Sequence, residues 1–205
     1  MAVEVQRIEP DHPHHRLLRH AAEIVKKGGL VIYPTDTIYG LGADLFHRQA
    51  MERIFKIKKS SRHKLLSFIC PDLKDIADWA RVPDYAYRIM RRITPGPYTF
   101  VLRASANVPK ILLQKRNTVG IRIPESAVAI GLARELGHPL LSTSVPLGAE
   151  DYYNDPAEMA ERFKHEVALI LDAGVLANLP SSIIDFSGSQ PLILRRGAGD
   201  LGFLE

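Results

Sequence analysis

Residues 33–42 read Tyr-Pro-Thr-Asp-Thr-Ile-Tyr-Gly-Leu-Gly, and they join a short apolar strand to a loop rich in hydroxyl groups and glycines. The apolar residues 30–33 have the length and composition of a buried strand. Pro34 lacks an N–H and has a fixed φ, so it cannot continue a central ladder. We therefore expect the loop to lie outside the strand end, where α/β sheets commonly bind ligands. An ordinary strand-to-helix connection explains the same residues equally well.

The composition predicts a soluble globular protein. The 205 residues are 46% hydrophobic and 24% charged, and no apolar run approaches the length of a membrane span. This length fits a single domain, 1–205, whose core we place at about residues 14–200. Cys70 is the only cysteine, which excludes an internal disulfide and favours a reducing, cytoplasmic location. The histidines lack metal-ligand spacing, so no metal site is predicted.

Helix and strand patterns alternate along the chain. This alternation predicts an α/β fold, a twisted mixed sheet of about seven strands with flanking helices. Helices are predicted at residues 14–27, 50–58, 73–80, 85–93, 127–136 and 157–165. Strands are predicted at residues 30–33, 65–69, 99–103, 118–123, 140–142, 169–171, 182–186 and 192–195.

Basic side chains are concentrated in residues 48–64, although the net charge of the chain is only +4. This segment contains one acid, Glu52, and seven basic residues: Arg48, Arg53, Lys56, Lys58, Lys59, Arg62 and Lys64. Such a segment attracts phosphate, and it suits a nucleic-acid backbone, a nucleotide or a plain solvated helix face. If the ligand is RNA, we assign its contacts to Arg53, Lys56, Lys59, Arg62 and Lys64.

Seven motifs, in a fixed order, resemble the YrdC-like family of threonylcarbamoyl-AMP synthases, and most of all its YciO branch. They lie at residues 33–42, 54–58, 95–99, 120–124, 139–144, 181–185 and 193–197 and span nearly the whole chain. The resemblance implies a YrdC-like domain with a basic concave cleft that serves tRNA modification. In the family reaction L-threonine and bicarbonate form a carbamate, which attacks the α-phosphate of ATP, accompanied by Mg²⁺, and releases pyrophosphate. The resemblance also implies that the cleft suits double-stranded RNA.

The resemblance further implies the roles of individual side chains. Lys58 matches the first residue of a Lys-x-Arg pattern and Arg122 matches a cleft residue, so both are assigned to catalysis. On a strand, Arg122 points away from Ile121 and Ile123, which supports a position in the cleft. Contacts to the substrate or nucleotide are assigned to Thr35, Tyr39, Thr99, Ser142, Ser144 and Arg195.

Several of the polar residues have a structural alternative. For Ser142 and Ser144 it is a polar strand terminus whose hydrogen bonds are satisfied by the backbone. Tyr39 either closes over the ligand or is a core aromatic. Thr99 either adds a hydroxyl to the site or makes a cross-strand contact. We interpret Asp36 as a turn residue.

Two positions depart from the family pattern. The Arg of Lys-x-Arg falls on Ser60, with Lys59 and Arg62 as candidates to replace it. The Asn of a Ser-x-Asn element falls on Pro146, which has neither an amide side chain nor an N–H. The chain is therefore either a nucleotidyltransferase that makes threonylcarbamoyl-AMP or a non-synthesising paralogue that binds RNA or a nucleotide. The sequence leaves the RNA target, the protein partners and the oligomeric state open.

Overall fold

The computed structural model describes residues 3–58, 66–113, 117–147 and 151–204, in which strands and helices alternate. The strands are β1 Glu4–Arg7, β2 Val31–Tyr33, β3 Gly40–Asp44, β4 Ser67–Ile69, β5 Ala80–Arg81, β6 Tyr98–Ala104, β7 Thr118–Arg122, β8 Leu140–Ser144, β9 Leu169–Asp172, β10 Ser182–Asp185 and β11 Leu192–Arg195. The helices are α1 His15–Lys26, α2 Arg48–Lys58, α3 Asp84–Ile93, α4 Lys110–Leu113, α5 Ala127–Leu136 and α6 Pro156–Arg162, with 3₁₀ helices at Leu73–Asp78 and Gly202–Leu204. No helix in these ranges is long and apolar enough to cross a membrane.

All eleven strands of the described chain belong to one mixed sheet. The strand order is β1-β9-β2-β3-β8-β4-β7-β6-β10-β11, and the short β5 pairs with β6. Parallel pairing joins β1 with β9, β2 with β9, β4 with β7 and β6 with β10. The predicted class, a twisted mixed sheet with flanking helices, is confirmed, but the expected number of about seven strands is too low.

Apolar side chains alternate between the two faces of the sheet. The first face carries the larger hydrophobic cluster, with Ile32, Leu41, Phe68, Leu141 and Ile170. The neighbours of these residues along the strands, including Val31, Ile69, Leu140, Leu169 and Leu171, belong to a second cluster on the other face. Burial of a large aliphatic side chain contributes about 1.5–3 kcal/mol to the free energy of unfolding, so both faces stabilise the sheet.

Helices α1 and α5 cover the second face over only part of its width. From these helices, the second cluster takes Leu18, Ala21, Ala22, Val25, Val128, Ala129, Leu132, Ala133 and Leu136. Among the described residues, this cluster takes none from β6, β7, β10 or β11. That part of the second face can therefore carry polar side chains and accept a ligand.

Strand β3 occupies residues that were predicted to be a loop. Gly40 pairs with Tyr33 on β2, and the Tyr33 ring crosses over both glycines of β3. A Cβ atom on Gly40 would lie 2.7 Å from the Tyr33 ring, and one on Gly42 would lie 3.0 Å from it. These glycines are therefore needed to make room for the Tyr33 ring. From the local sequence alone, glycines that make room for a ring look the same as glycines that make room for a ligand.

Several further elements differ from the predictions, including the unpredicted helix α4. Residues 73–80 form the 3₁₀ helix and the start of β5 rather than an α-helix, and α6 ends before the predicted residue 165. Strand β1 was not predicted. It is an edge strand that pairs only with β9 and is mostly exposed, so it lacks the apolar pattern by which strands are identified.

Candidate anion-binding site

The part of the second face that lies outside the second cluster is lined by small and hydroxyl-bearing residues. The register places Ser142, Ser67 and Gly120 side by side across β8, β4 and β7. A Cβ atom on Gly120 would lie 2.9 Å from Ser67 Oγ, which puts both residues on the same side of the sheet. We call this surface the polar face and define it by Ser67, Thr99, Thr118, Gly120, Ser142, Ser144 and Ser181.

Two hydroxyl pairs are buried in the polar face. Tyr33 Oη and Ser142 Oγ are 2.5 Å apart, and Thr99 Oγ1 and Ser181 Oγ are 2.8 Å apart. Burial raises the pKa of Tyr33 to about 12, so this phenol stays neutral at physiological pH. Thr99 and Ser142, two of the predicted contact residues, thus lie on the polar face with their hydroxyls already paired. Ser144 lies beside them and is half-buried.

Arg122, at the end of β7, is the buried cation of this region. Only 8% of the residue is exposed, and its guanidinium forms an ion pair with Asp36. Its Nη2 also donates to Thr37 Oγ1 at 2.7 Å. Arg122 Nε is buried and has no hydrogen-bond partner within the described parts of the chain. A buried N–H without an acceptor costs about 1–3 kcal/mol, so this atom marks a position suited to a ligand acceptor.

Asp36 holds two loops together, so its interpretation as only a turn residue is wrong. One carboxylate oxygen pairs with Arg122, and the other accepts from the backbone N–H of Glu125 at 3.0 Å. Ser126, the N-cap of α5, donates to Pro34 O at 3.2 Å and reinforces the same junction. The loop that follows β2 is therefore folded onto the segment that follows β7.

Arg195 lies close enough for its positive charge to affect Arg122. Burial is the main cause that lowers the pKa of Arg122, and the charge of Arg195 adds to this effect. The Asp36 carboxylate opposes both by stabilising the charged guanidinium. Two guanidinium groups therefore lie near each other, and among the described residues only that of Arg122 is paired with a carboxylate. An additional anion near them is electrostatically favoured.

The Arg195 side chain is fixed by neutral oxygen atoms. Its Nε and Nη2 donate to Ser181 O at 3.0 and 2.8 Å, and its Nη1 donates to Tyr152 Oη at 3.3 Å. Among the described residues, no carboxylate forms an ion pair with Arg195. Its charge is thus available to a ligand.

Thr35 contributes to the shape of the loop rather than to its open surface. Its Oγ1 donates to Ile38 O at 2.6 Å and accepts from Thr37 N at 3.2 Å. Its hydroxyl is thus engaged within the loop, whereas Thr37, which was not predicted, contacts Arg122 directly. The hydroxyl pattern of residues 35–37 indicated this site without identifying which hydroxyl faces the arginine.

Tyr39 lies on the opposite face from the polar residues, so its assignment as a ligand contact is wrong. The residue is fully buried in the first hydrophobic cluster. Its hydroxyl donates to Gly174 O at 2.7 Å and accepts from Ala173 N at 2.9 Å. Burial raises its pKa to about 12. The structure therefore shows the core-aromatic alternative.

The predicted basic segment is described only in part. Arg53 donates to Gly28 O and so ties α2 to the loop after α1, while Lys56 is exposed and Lys58 is half-buried at the end of α2. Lys59, Ser60, Arg62 and Lys64 lie outside the described residues. Their assigned contacts, and the replacement of the family Arg by Lys59 or Arg62, stay predictions.

A separate cavity lies behind the loop that follows β7. Its volume is about 520 Å³, and its lining includes Pro71, Thr94, Pro95, Pro124 and Arg134. Neither Arg122 nor Arg195 lines it. The polar face is the better candidate site because the guanidinium groups of Arg122 and Arg195 and the unpartnered N–H are there.

The residues at the polar face suit an anion. Within the described residues, no group of three or more His, Cys, Asp or Glu side chains could hold a metal ion. The groups that converge here are two guanidinium donors and several hydroxyls, which is the donor set of phosphate and carboxylate sites.

Comparison with known proteins identifies the family to which the fold belongs. The Sua5/YciO/YrdC family model, described as "Telomere recombination", matches residues 23–197. The chain therefore belongs to the Sua5/YciO/YrdC family.

Within this family the chain is more similar to YciO than to Sua5. It is 41% identical to YciO of Escherichia coli strain K12 over 95% of each chain. It is 30% identical to the threonylcarbamoyl-AMP synthase of Pyrococcus abyssi over 92% of this chain and 56% of that protein.

The structural similarities follow the same order. The crystal structure of E. coli YciO matches with a TM-score of 0.95, at 39% identity, and covers 99% of this chain and 100% of that chain. P. abyssi Sua5 complexed with L-threonine matches with a TM-score of 0.86, at 28% identity, over 96% of this chain and 58% of that chain. The family thus includes threonylcarbamoyl-AMP synthases and a member that binds L-threonine.

Proposed function

We propose that the polar face binds the substrates or the product of threonylcarbamoyl-AMP synthesis, either L-threonine with ATP or threonylcarbamoyl-AMP. The observation that carries this proposal is Arg122 Nε, a buried N–H without an acceptor among the described residues, close to the charge of Arg195. An anionic group beside both guanidiniums supplies that acceptor and reduces their mutual repulsion. We place the floor of the expected basic cleft here.

A phosphate or carboxylate suits this position because guanidinium groups donate to such anions through two N–H groups at once. Ser144 and Thr118 are half-buried on the same face and would supply hydroxyls to the ligand. Lys58, the last residue of α2, would add an ammonium group to the guanidinium groups. Positioning and cations near developing negative charge are the main contributions that proteins make to nucleotidyl transfer.

ATP would carry its Mg²⁺ on the phosphate oxygens. The polar face fits the phosphates themselves, because its described donors are guanidinium and hydroxyl groups. In this proposal Arg122 and Arg195 bind and orient the phosphate or carboxylate, and Asp36 keeps the Arg122 guanidinium in place.

We expect Arg195→Ala to weaken AMP binding about ten- to hundredfold, since a hydrogen bond to a charged group is worth about 1.5–3 kcal/mol. Isothermal titration of the purified protein with AMP, ATP plus Mg²⁺ and L-threonine measures this. The matched control is Arg7→Ala, which removes the same charge from an exposed side chain on the edge strand β1, where it pairs with Asp172 at 3.3 Å. Undiminished AMP binding by Arg195→Ala, or no binding of any of these ligands to the wild type, would contradict the proposal.

Pro146 is the described position that bears on whether the protein synthesises threonylcarbamoyl-AMP or only binds ligands. In the described residues, this proline forms a bridge to Tyr152 and lacks the amide of the family Asn. We therefore keep a non-synthesising nucleotide-binding or RNA-binding paralogue as the alternative to a nucleotidyltransferase. Pyrophosphate release with ATP, Mg²⁺, L-threonine and bicarbonate separates the two, and the variant Ser60→Arg with Pro146→Asn tests whether these positions limit synthesis.

Double-stranded RNA is a second candidate ligand because Lys56 is exposed on α2 within the basic segment. Phosphate contacts release counterions, so we expect the affinity for a short RNA duplex to fall about tenfold or more between low and physiological salt. Lys56→Ala should reduce both the affinity and its salt dependence. A titration that detects no binding at low salt would eliminate this candidate.

A further inference from the structure

The chain folds back after β8 and brings Tyr152 to the polar face. Pro146 and Tyr152 form an antiparallel bridge, flanked by hydrogen bonds from Leu147 N to Asp151 O at 3.0 Å and from Tyr153 N to Val145 O at 3.1 Å. Val145 N in turn donates to Tyr39 O at 3.2 Å, which extends the β8 pairing with β3. Tyr152 is therefore held by backbone pairing that is continuous with the sheet.

Tyr152 contacts Arg195 on the edge opposite to Ser181. Nε and Nη2 of Arg195 both donate to Ser181 O, and Nη2 also approaches Ser181 Oγ at 3.3 Å. The remaining nitrogen, Nη1, donates to Tyr152 Oη at 3.3 Å. The planar guanidinium is thus held along one edge by Ser181 and at its free corner by the phenol.

We propose that Tyr152 is a positioning residue that sets the orientation of the Arg195 guanidinium for an anionic ligand. The inference rests on the proposed function, since it assigns to Tyr152 a part in the same anion site. A guanidinium held only by Ser181 can rotate about that edge, whereas a second contact at Nη1 leaves one orientation. Fixing a binding group before the ligand arrives strengthens binding because less conformational entropy is lost in the complex.

Tyr152 acts through Arg195, so its effect depends on the charge of the ligand. A phosphate beside Arg195 senses the orientation of the guanidinium, and an uncharged part of the ligand does not. Since Pro146 supplies no side-chain donor, the polar group at this edge comes instead from Tyr152, six residues further along the chain. No local pattern in the sequence indicates this role, because the contact joins residues 43 positions apart.

The test is Tyr152→Phe, which removes only the hydroxyl. We expect AMP binding to weaken about tenfold, the order of one hydrogen bond to a charged group, while the melting temperature stays unchanged. The matched control is Tyr153→Phe, the same change in the adjacent residue, whose ring packs against Phe163 at a centroid distance of 5.5 Å. This control should bind AMP as the wild type does.

A double-variant cycle distinguishes positioning from a general structural effect. If Tyr152 acts through Arg195, Tyr152→Phe should have no further effect on AMP binding in an Arg195→Ala background. An equal loss in both backgrounds, or wild-type AMP binding by Tyr152→Phe, would each overturn the inference. These outcomes leave the proposed function standing, whereas a wild-type protein that binds neither AMP nor L-threonine overturns both.

Discussion

Arg122→Ala is expected to destabilise the protein by about 3–5 kcal/mol, because it leaves the Asp36 carboxylate buried without a counter-charge. It should also abolish measurable AMP binding, because it removes a guanidinium group of the proposed anion site. The side chains of both residues are only 9% exposed, so water cannot replace the guanidinium without opening the loop junction. Asp36 also accepts from Glu125 N, and its displacement would release the segment before α5. Urea unfolding measures the stability loss, and titration with AMP measures the binding loss.

The control is the double variant Arg122→Met with Asp36→Asn, which removes both charges. Replacing a buried ion pair by uncharged groups of similar volume costs much less than breaking the pair. We therefore expect the double variant to be more stable than Arg122→Ala, while it still fails to bind AMP. Wild-type stability of Arg122→Ala would show that Asp36 does not depend on this arginine.

Gly197→Ala is expected to destabilise the protein by about 1–3 kcal/mol and to weaken AMP binding as well. A Cβ atom on Gly197 would lie 2.2 Å from Pro180 O and 2.6 Å from Ser181 O. Both are backbone atoms, so the added methyl group must displace the main chain. Because Ser181 O orients Arg195, this displacement also disturbs the anion site. Thermal unfolding and AMP titration measure the two effects.

Gly188→Ala is the matched control for this substitution. The nearest heavy atom to its added Cβ would be Gln190 O at 3.8 Å, an ordinary van der Waals distance. We expect a stability change within about 0.5 kcal/mol, as for surface substitutions that meet no neighbour. Equal stability of Gly197→Ala and Gly188→Ala would mean that the segment after β11 moves without cost.

The sequence predicted those parts of the fold whose signals are local. Helix α1 ends near its predicted boundary, and the apolar run before Pro34 forms the buried strand β2. Strand β3 was not predicted because its glycines accommodate the Tyr33 ring, a contact that the local pattern does not contain. Edge strand β1 was missed because an exposed strand shows no apolar alternation.

The sequence predicted those site residues whose face of the sheet follows from the alternation of side chains along a strand. Ile121 lies in the first hydrophobic cluster, and Arg122 consequently points to the other face, as the alternation indicates. Alternation could not assign Tyr39 to a face of the sheet, because Tyr39 lies just before β3 and follows an irregular loop. Asp36 and Tyr152 were missed because their partners lie 86 and 43 residues away in the chain.

The position of the ligand can be observed in a crystal structure of the protein with L-threonine and a non-hydrolysable ATP analogue. We predict an anionic oxygen of the ligand within hydrogen-bond distance of Arg122 Nε, the atom that has no partner in the described chain, and a second contact to Arg195. Ligand bound instead in the cavity behind the β7 loop, with Arg122 Nε still lacking an acceptor, would contradict this prediction.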